Sequence, residues 1–315
     1  MGAPVLNAIP ELQNTEPLLR LLRARSQVYR VAVRFQTAQL AMTVVLPIVG
    51  ATASLWLPDW RTTITVGVLI LAAMDAFWVD RAMKRRLKDA AKISEQFDCE
   101  LLDMRWNGFV AGNRVDPQVV GSAALSWTKG DAKLVNWYSR AVEQVDHDEA
   151  RLICQRANLD YDGGLRRFYG KVLIYFLAFV FVSISTAFYL LGLGRNEMLA
   201  GIVLPLAPLI VWSVREFFRQ KDAAQGIEQV RDAADALFDK ILGGEVPAGD
   251  FKARSREFQD AILLRRSQNP LIAPLMYRLL RKRMETNMGV ATDEIIRRLR
   301  QRRQDVCRLA DSTAS

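Results

Sequence analysis

Only one histidine, His147, occurs among the 315 residues. Imidazole is the side chain that changes charge near neutral pH, so a histidine-based triad, a histidine metal cluster and most general-base schemes lack their parts. His147 reads as lone polar surface. The sequence contains no GxxxxGK[ST], GxGxxG, HExxH or GxSxG, so the loops that cradle phosphates and the elbows that present a nucleophile are missing too. Cys99, Cys154 and Cys307 stand apart, with no CxxC and no regular spacing, and no disulfide is expected of them. No catalytic residue, metal site or cofactor is assigned, and a non-enzyme is expected.

The chemistry left to this chain is that of charge. Asp75 is the one acid inside an otherwise apolar stretch, where a carboxylate costs about 2.5–3.5 kcal/mol to insert unless it faces protein or water. It is the membrane polar candidate, the alternative being a side chain one turn from the interface that reaches headgroups or Arg81. Arg156, Asn158, Arg166 and Arg167 precede the third apolar stretch. Arg forks grip phosphates and stack on bases, so these four are the candidate ligand contacts, placed where binding would move a membrane helix. Nine further cations, from Arg278 to Arg303, face three acids over residues 275–303. They read either as a solvated helix face near anionic lipid or as a phosphate-binding surface.

The elements that must position these residues follow from segregation of the sequence. Half the residues are hydrophobic and 24% are charged, yet mean hydropathy is only +0.04, as when one part of a chain lies in lipid and another in water. Charges are absent from residues 35–58, 172–194 and 198–214, and Asp75 is the only one in 62–79. A helix rising about 1.5 Å per residue crosses roughly 30 Å of hydrocarbon in about 20 residues. Four spans result, with Pro47 near the middle of the first and Pro205 and Pro208 in the short fourth. Residues 58–61 and 195–197 leave room only for tight reversals, so the spans pair into two hairpins.

Orientation follows from the flanks. Arg20, Arg23, Arg25, Arg30 and Arg34 precede the first hairpin, and Arg81, Lys84, Arg85, Arg86 and Lys88 follow it. Arg166, Arg167 and Lys171 precede the second, and Arg215, Arg219 and Lys221 follow it, whereas each outer turn holds one Arg and one acid. The positive-inside rule puts both ends and the central segment in the cytoplasm. It also accounts for most of the +9 net charge, so no DNA or RNA polymer is expected as a partner. No removable signal peptide is read in residues 1–34.

The expected product is an all-α integral membrane protein. It comprises an N-terminal segment 1–34, a hairpin 35–79, a central cytoplasmic domain 80–168, a second hairpin 169–214 and a C-terminal helical domain 215–315. In the soluble parts, residues 81–97 continue span two as a helix and 215–242 form a long amphipathic helix closed by Gly243, Gly244 and Pro247. A pair of helices at 253–267 and 275–305 follows, then a frayed tail 306–315. Trp106, Trp127, Trp137 and Tyr138 are expected to anchor a small core.

Several words carry a resemblance: Asn7-Ala-Ile-Pro-Glu-Leu-Gln-Asn14, Ile93-Ser-Glu-Gln-Phe-Asp-Cys-Glu100 with Trp106-Asn107, Cys154-Gln-Arg-Ala-Asn158 through Leu165-Arg-Arg-Phe-Tyr169, and Arg265-Arg-Ser-Gln-Asn-Pro-Leu-Ile272. In this order around two hairpins they resemble the S-4TM family of SMODS-associated four-helix membrane proteins. Tyr161-Asp162 stands where the pattern has a bulkier Trp-Asp pair. The resemblance implies an effector in a bacterial anti-phage system, in which a cGAS-like nucleotidyltransferase makes a cyclic oligonucleotide and the effector, as a homo-oligomer, forms pores in the inner membrane. A non-catalytic membrane scaffold and a small ion transporter using Asp75 stay open as alternatives.

Overall fold

The computed structural model describes residues 6–192, 194–243 and 250–313, and every regular element among them is helical. After the short α1 (Ile9–Leu12), α2 (Glu16–Leu40) starts with Pro17 in its first turn, where a missing N–H costs nothing. It passes through a π turn, Ala41–Val45, into α3 (Leu46–Trp56). A 3-10 turn, Pro58–Trp60, reverses the chain into α4 (Arg61–Met74), a second π turn, Asp75–Val79, and α5 (Asp80–Leu101). The central segment holds α6 (Gly108–Ala111), capped by the Asn107 side chain, α7 (Pro117–Leu125), capped by Asp116, and a 3-10 turn, Arg140–Gln144. Next comes α8 (His147–Leu191), closed by Gly192 in the left-handed region at φ 59°. Then α9 (Arg195–Met198) leads through a third π turn, Leu199–Val203, into α10 (Leu204–Gly243), followed by α11 (Asp250–Gln268) and α12 (Pro274–Thr313).

Proline lacks an N–H and its ring clashes with the carbonyl one turn earlier. Two of the π turns end two residues before Pro47 and Pro205. The widened turn absorbs the clash without breaking the helix. The remaining π turn, the second in the chain, begins at Asp75 instead.

Four helices are long and apolar enough to cross a membrane, and the helical runs that contain them measure 39, 44, 44 and 40 residues. At about 1.5 Å per residue each run is roughly twice the hydrocarbon thickness. Every span therefore carries its own extramembrane extension, and the boundaries drawn at 34, 79, 168 and 214 fall inside continuous helices. Large apolar side chains stand exposed on the membrane halves, Phe179 at 69% and Phe181 at 73%. Such a surface is stable only against lipid or another protein.

The extensions supply the core. Leu18, Leu21, Leu22, Val28 and Ala32 fall on one face of α2 and are buried. Of these, Leu18, Leu21, Leu22 and Val28 help form one apolar cluster with Ile93, Phe97 and Leu101 of α5, Val142, and Leu152 and Ile153 of α8. α2 packs on α5, α8 on α10 and α3 on α10, while α11 lies on α5 and α8, and α12 lies along α8. Tyr138 is buried in this core, and Trp127 and Trp137 pack against it. Gly163 and Gly164 allow α8 to be approached from two sides. A Cβ on Gly163 would sit 3.2 Å from Ile227 Cγ2 of α10, and one on Gly164 would sit 3.0 Å from Met284 Sδ of α12.

The helix expected over 215–242 is the outer part of α10, continuous with span four, and buries Ile227 and Ala234. α12 runs on to Thr313, through most of the segment read as a frayed tail. Of the residues expected to close the long helix, Gly244 and Pro247 lie outside the described residues.

Candidate ligand cleft and membrane polar pair

The four candidate ligand residues, Arg156, Asn158, Arg166 and Arg167, divide into two kinds. Asn158 is buried: its amide donates to Tyr138 Oη at 2.7 Å and its oxygen accepts from Trp137 Nε1 at 3.2 Å. Arg166 is 6% exposed and held by three acceptors, donating to Asp162 Oδ1 at 3.0 Å, Gln220 Oε1 at 2.8 Å and the Pro270 carbonyl at 2.9 Å. Both are built into the scaffold. Arg156 and Arg167, by contrast, lie on the helical stripe Arg156, Asp160, Gly164, Arg167, Lys171 that lines an open cleft.

That cleft, about 430 Å³ in volume, lies between α8 and α12. Phe168, Met284 and Met288 give it an apolar lining, and Arg283 and Asn287 of α12 face the α8 stripe across it. Arg156 is bound to Asp160 and Asp235, and Arg167 Nη1 reaches Glu228 Oε1 of α10 at 2.6 Å. Burial raises the Asp160 carboxyl above its usual range while the Arg156 charge opposes the rise. Lys171 and Arg283 have no ion pair among the described residues; the Arg283 guanidinium lies 5.5 Å from the centre of the Phe168 ring, a cation–π contact. Four cations thus surround one acid beside an aromatic face, at the foot of the third span.

Asp75 lies elsewhere, within hairpin one. It is 7% exposed, its Oδ2 accepts from Gln39 Nε2 at 3.2 Å, and its Oδ1 is buried without a partner among the described residues. Gln39 stands just before the π turn of span one, and Asp75 begins that of span two. Arg81 lies 6.0 Å from the centre of the Phe77 ring, so it is Gln39 that meets the carboxylate.

Two polar assemblies had no sequence forecast. The first is the link between α11 and α12. Arg166 of α8 donates to the Pro270 carbonyl, and Gln36 of α2 and Gln220 of α10 both donate to the Leu271 carbonyl, at 3.1 and 3.3 Å. Three membrane-crossing helices grip two consecutive carbonyls. Gln36 Oε1 and Asn269 Nδ2, both buried, have no partner among the described residues. Asn269-Pro270 marks a break in helix, but no pattern in the sequence says what holds it.

The second is a buried ionic network. Glu95 accepts from Arg256 Nη2 at 2.5 Å and Gln259 Nε2 at 2.8 Å, and Asp98 accepts from Arg266 Nη1 at 2.5 Å, Gln259 Nε2 at 3.0 Å and Tyr138 Oη at 3.2 Å. Burial raises the Glu95 carboxyl despite Arg256. Burial, with the Glu95 charge beside it, pushes the Cys99 thiol up to about 12, so it is inert at neutral pH. At the N-terminus, Asn7 donates to the Val142 and Val145 carbonyls at 2.6 and 2.8 Å. Much of what the quoted words spell is therefore the polar framework of the core: Asn7, Glu95, Asp98, Asn158, Arg166 and Pro270 all belong to it.

No solved structure matches this chain. A probable CBASS effector molecule of Bacillus cereus strain VD146 is 23% identical over 285 residues, which span 88% of this chain and 95% of the relative. The profile of the SMODS-associating 4TM effector domain matches residues 7–295. With four bilayer-length helices and nearly the whole sequence covered, the chain belongs to the SMODS-associating 4TM effector family.

Proposed function

We propose that this protein is the membrane-permeabilising effector of a CBASS-type anti-phage system, activated on its cytoplasmic side by a cyclic oligonucleotide. The observation that carries the reading is the continuity of each span with its extramembrane extension. A stiff helix shifted at its charged end must move in the bilayer, so ligand binding and membrane opening need no separate transmitting part. Family membership and the name of the Bacillus relative support a CBASS-associated membrane effector. Activation by a cyclic oligonucleotide, pore formation, assembly into a homo-oligomer, the inner membrane as its site and cytoplasmic termini complete the proposal. Basic flanks on both hairpins support the orientation. The lipid-exposed apolar faces leave room for self-association through packing of spans.

Expression in bacteria carrying a membrane-potential dye tests this. Co-expression of a nucleotidyltransferase making the matching cyclic oligonucleotide should depolarise the cells, whereas either protein alone should not. Unchanged potential with both present, across synthases producing each common cyclic di- and trinucleotide, would overturn the proposal. One observation favours a second reading, that of a small ion transporter: the buried, half-satisfied carboxylate of Asp75 against Gln39. It requires Asp75→Asn to abolish ion movement while the protein still folds, and normal activity in that variant removes it.

A further inference from the structure

We infer that the cleft between α8 and α12 binds a phosphodiester ligand, with Lys171, Arg283 and Arg167 as its charge contacts and the Phe168 ring as a stacking face. The inference deepens the reading above and rests on it for the choice of ligand.

The inventory of charge decides which residues do this. Arg156 is committed to Asp160 and Asp235 and forms a fixed wall. Lys171 and Arg283 lack a carboxylate partner among the described residues and face the cleft. Among the described residues Arg167 makes its one ion pair with Glu228, whose side chain and its own are 34% and 42% exposed. Such exposed pairs are weak and exchange readily, whereas a phosphate offers the guanidinium two acceptors in its fork geometry. Two free cations and one exchangeable one match a ligand bearing two or three phosphates. A cavity of about 430 Å³ also lies in the range of roughly 300–1,000 Å³ typical of small-ligand sites.

The lining adds a planar preference. Arg283 already lies over the Phe168 ring, and a nucleobase stacks on aromatic rings and on guanidinium planes alike. Met284 and Met288 supply an adaptable apolar edge. Transfer of Arg167 from Glu228 to a phosphate would release a contact between α8 and α10, the helices that carry spans three and four. Occupancy of the cleft would thereby loosen the second hairpin at its charged end. Lys171 immediately precedes the third apolar stretch, so a phosphodiester could reach this cleft from solution, as a cyclic oligonucleotide, or from the bilayer, as an anionic phospholipid headgroup.

The test uses the full-length protein in nanodiscs of phosphatidylcholine alone. Probes are cyclic di- and trinucleotides of adenine, guanine, cytosine and uracil, inorganic pyrophosphate, and phosphatidylglycerol added to the disc. Binding is read by calorimetry and by the shift in melting temperature. Lys171→Glu with Arg283→Glu reverses the two free charges; Lys171→Gln with Arg283→Gln only removes them and guards against misfolding, which circular dichroism checks. Wild type should bind at least one probe, and both variants should bind it at least about tenfold more weakly, with the charge reversal the worse. A cyclic oligonucleotide lost in this way establishes the cleft as the messenger site. If only phosphatidylglycerol stabilises the wild type, and the variants lose that effect, the cleft is a headgroup site and the messenger reading is what fails. Equal binding by wild type and variants overturns the cleft while leaving the messenger reading intact. A wild type that binds none of these probes overturns the inference outright.

Discussion

His147, the one histidine, lies against the 1%-exposed Arg151, whose Nη2 comes within 3.2 Å of its Nδ1 while Nε donates to the Leu102 carbonyl at 2.7 Å. Burial, then the Arg151 charge, holds its pKa below the ordinary 6.5. The unfolded chain protonates near 6.5 and the folded one only at lower pH, so between those values the unfolded state binds more protons. The contribution of His147 to stability must fall as pH drops through that window. Melting of the detergent-solubilised protein should therefore come earlier when pH is lowered past 6.5, and His147→Gln should flatten that dependence; parallel pH curves for the two would refute it. At Asp98 the expected effect is larger. Asp98→Ala leaves Arg266, Gln259 and the Tyr138 hydroxyl without their shared acceptor, and breaking a buried ion pair from one side costs about 3–5 kcal/mol. Denaturant unfolding in detergent should show a loss of that order for alanine and a smaller one for Asp98→Asn, which can still accept from Tyr138.

At the scale of elements, the link after α11 is the place where three helices meet one stretch of backbone. Gln36 and Gln220 share the Leu271 carbonyl, so each covers for the other. Gln36→Leu alone should change stability by less than about 1 kcal/mol, whereas Gln36→Leu with Gln220→Leu orphans the partly buried carbonyl at about 1–3 kcal/mol beyond the loss of Gln220's own bonds to Arg166 and Glu216. A double-mutant cycle showing simple additivity would mean that the carbonyl is not shared. This junction also shows why parts of the molecule were readable in advance. Bilayer spans are legible because lipid imposes a rule on composition alone, and residues 172–194 obey it without reference to any other segment. The stripe from Arg156 to Lys171 is likewise a matter of helical period. Its partner wall, Arg283 to Met288, lies more than a hundred residues away, and nothing local says that α12 packs along α8 rather than elsewhere. Asn158 and Arg166 have the same composition signal as Arg156 and Arg167, yet they point at Tyr138 and at Pro270. Polar residues reveal their task only once burial and partners are known, and Gln36, inside a nominal boundary, carried no signal at all.

For the molecule as a whole, both hairpins send their extensions to one side, because the reversals at Pro58–Trp60 and near Arg195 are too short to allow anything else. Extensions, core and cleft therefore share one compartment, and every functional expectation depends on which it is. By the positive-inside rule the basic flanks predict that this side is the cytoplasm. Single cysteines on a Cys307→Ser background test this, since Cys99 and Cys154 are buried. Asp59→Cys and Asn196→Cys in the outer turns should react with a membrane-impermeant maleimide on intact spheroplasts, and Lys129→Cys, exposed beside α7, only after lysis. The reverse pattern would put the α8–α12 cleft on the outer face, out of reach of any messenger made inside the cell, and permeabilisation in response to one would then need a different site. Labelling at both turns and also at Lys129 before lysis would put both ends of spans two and three on one side of the bilayer, so neither would cross it, and such a result would count against the four-span fold itself.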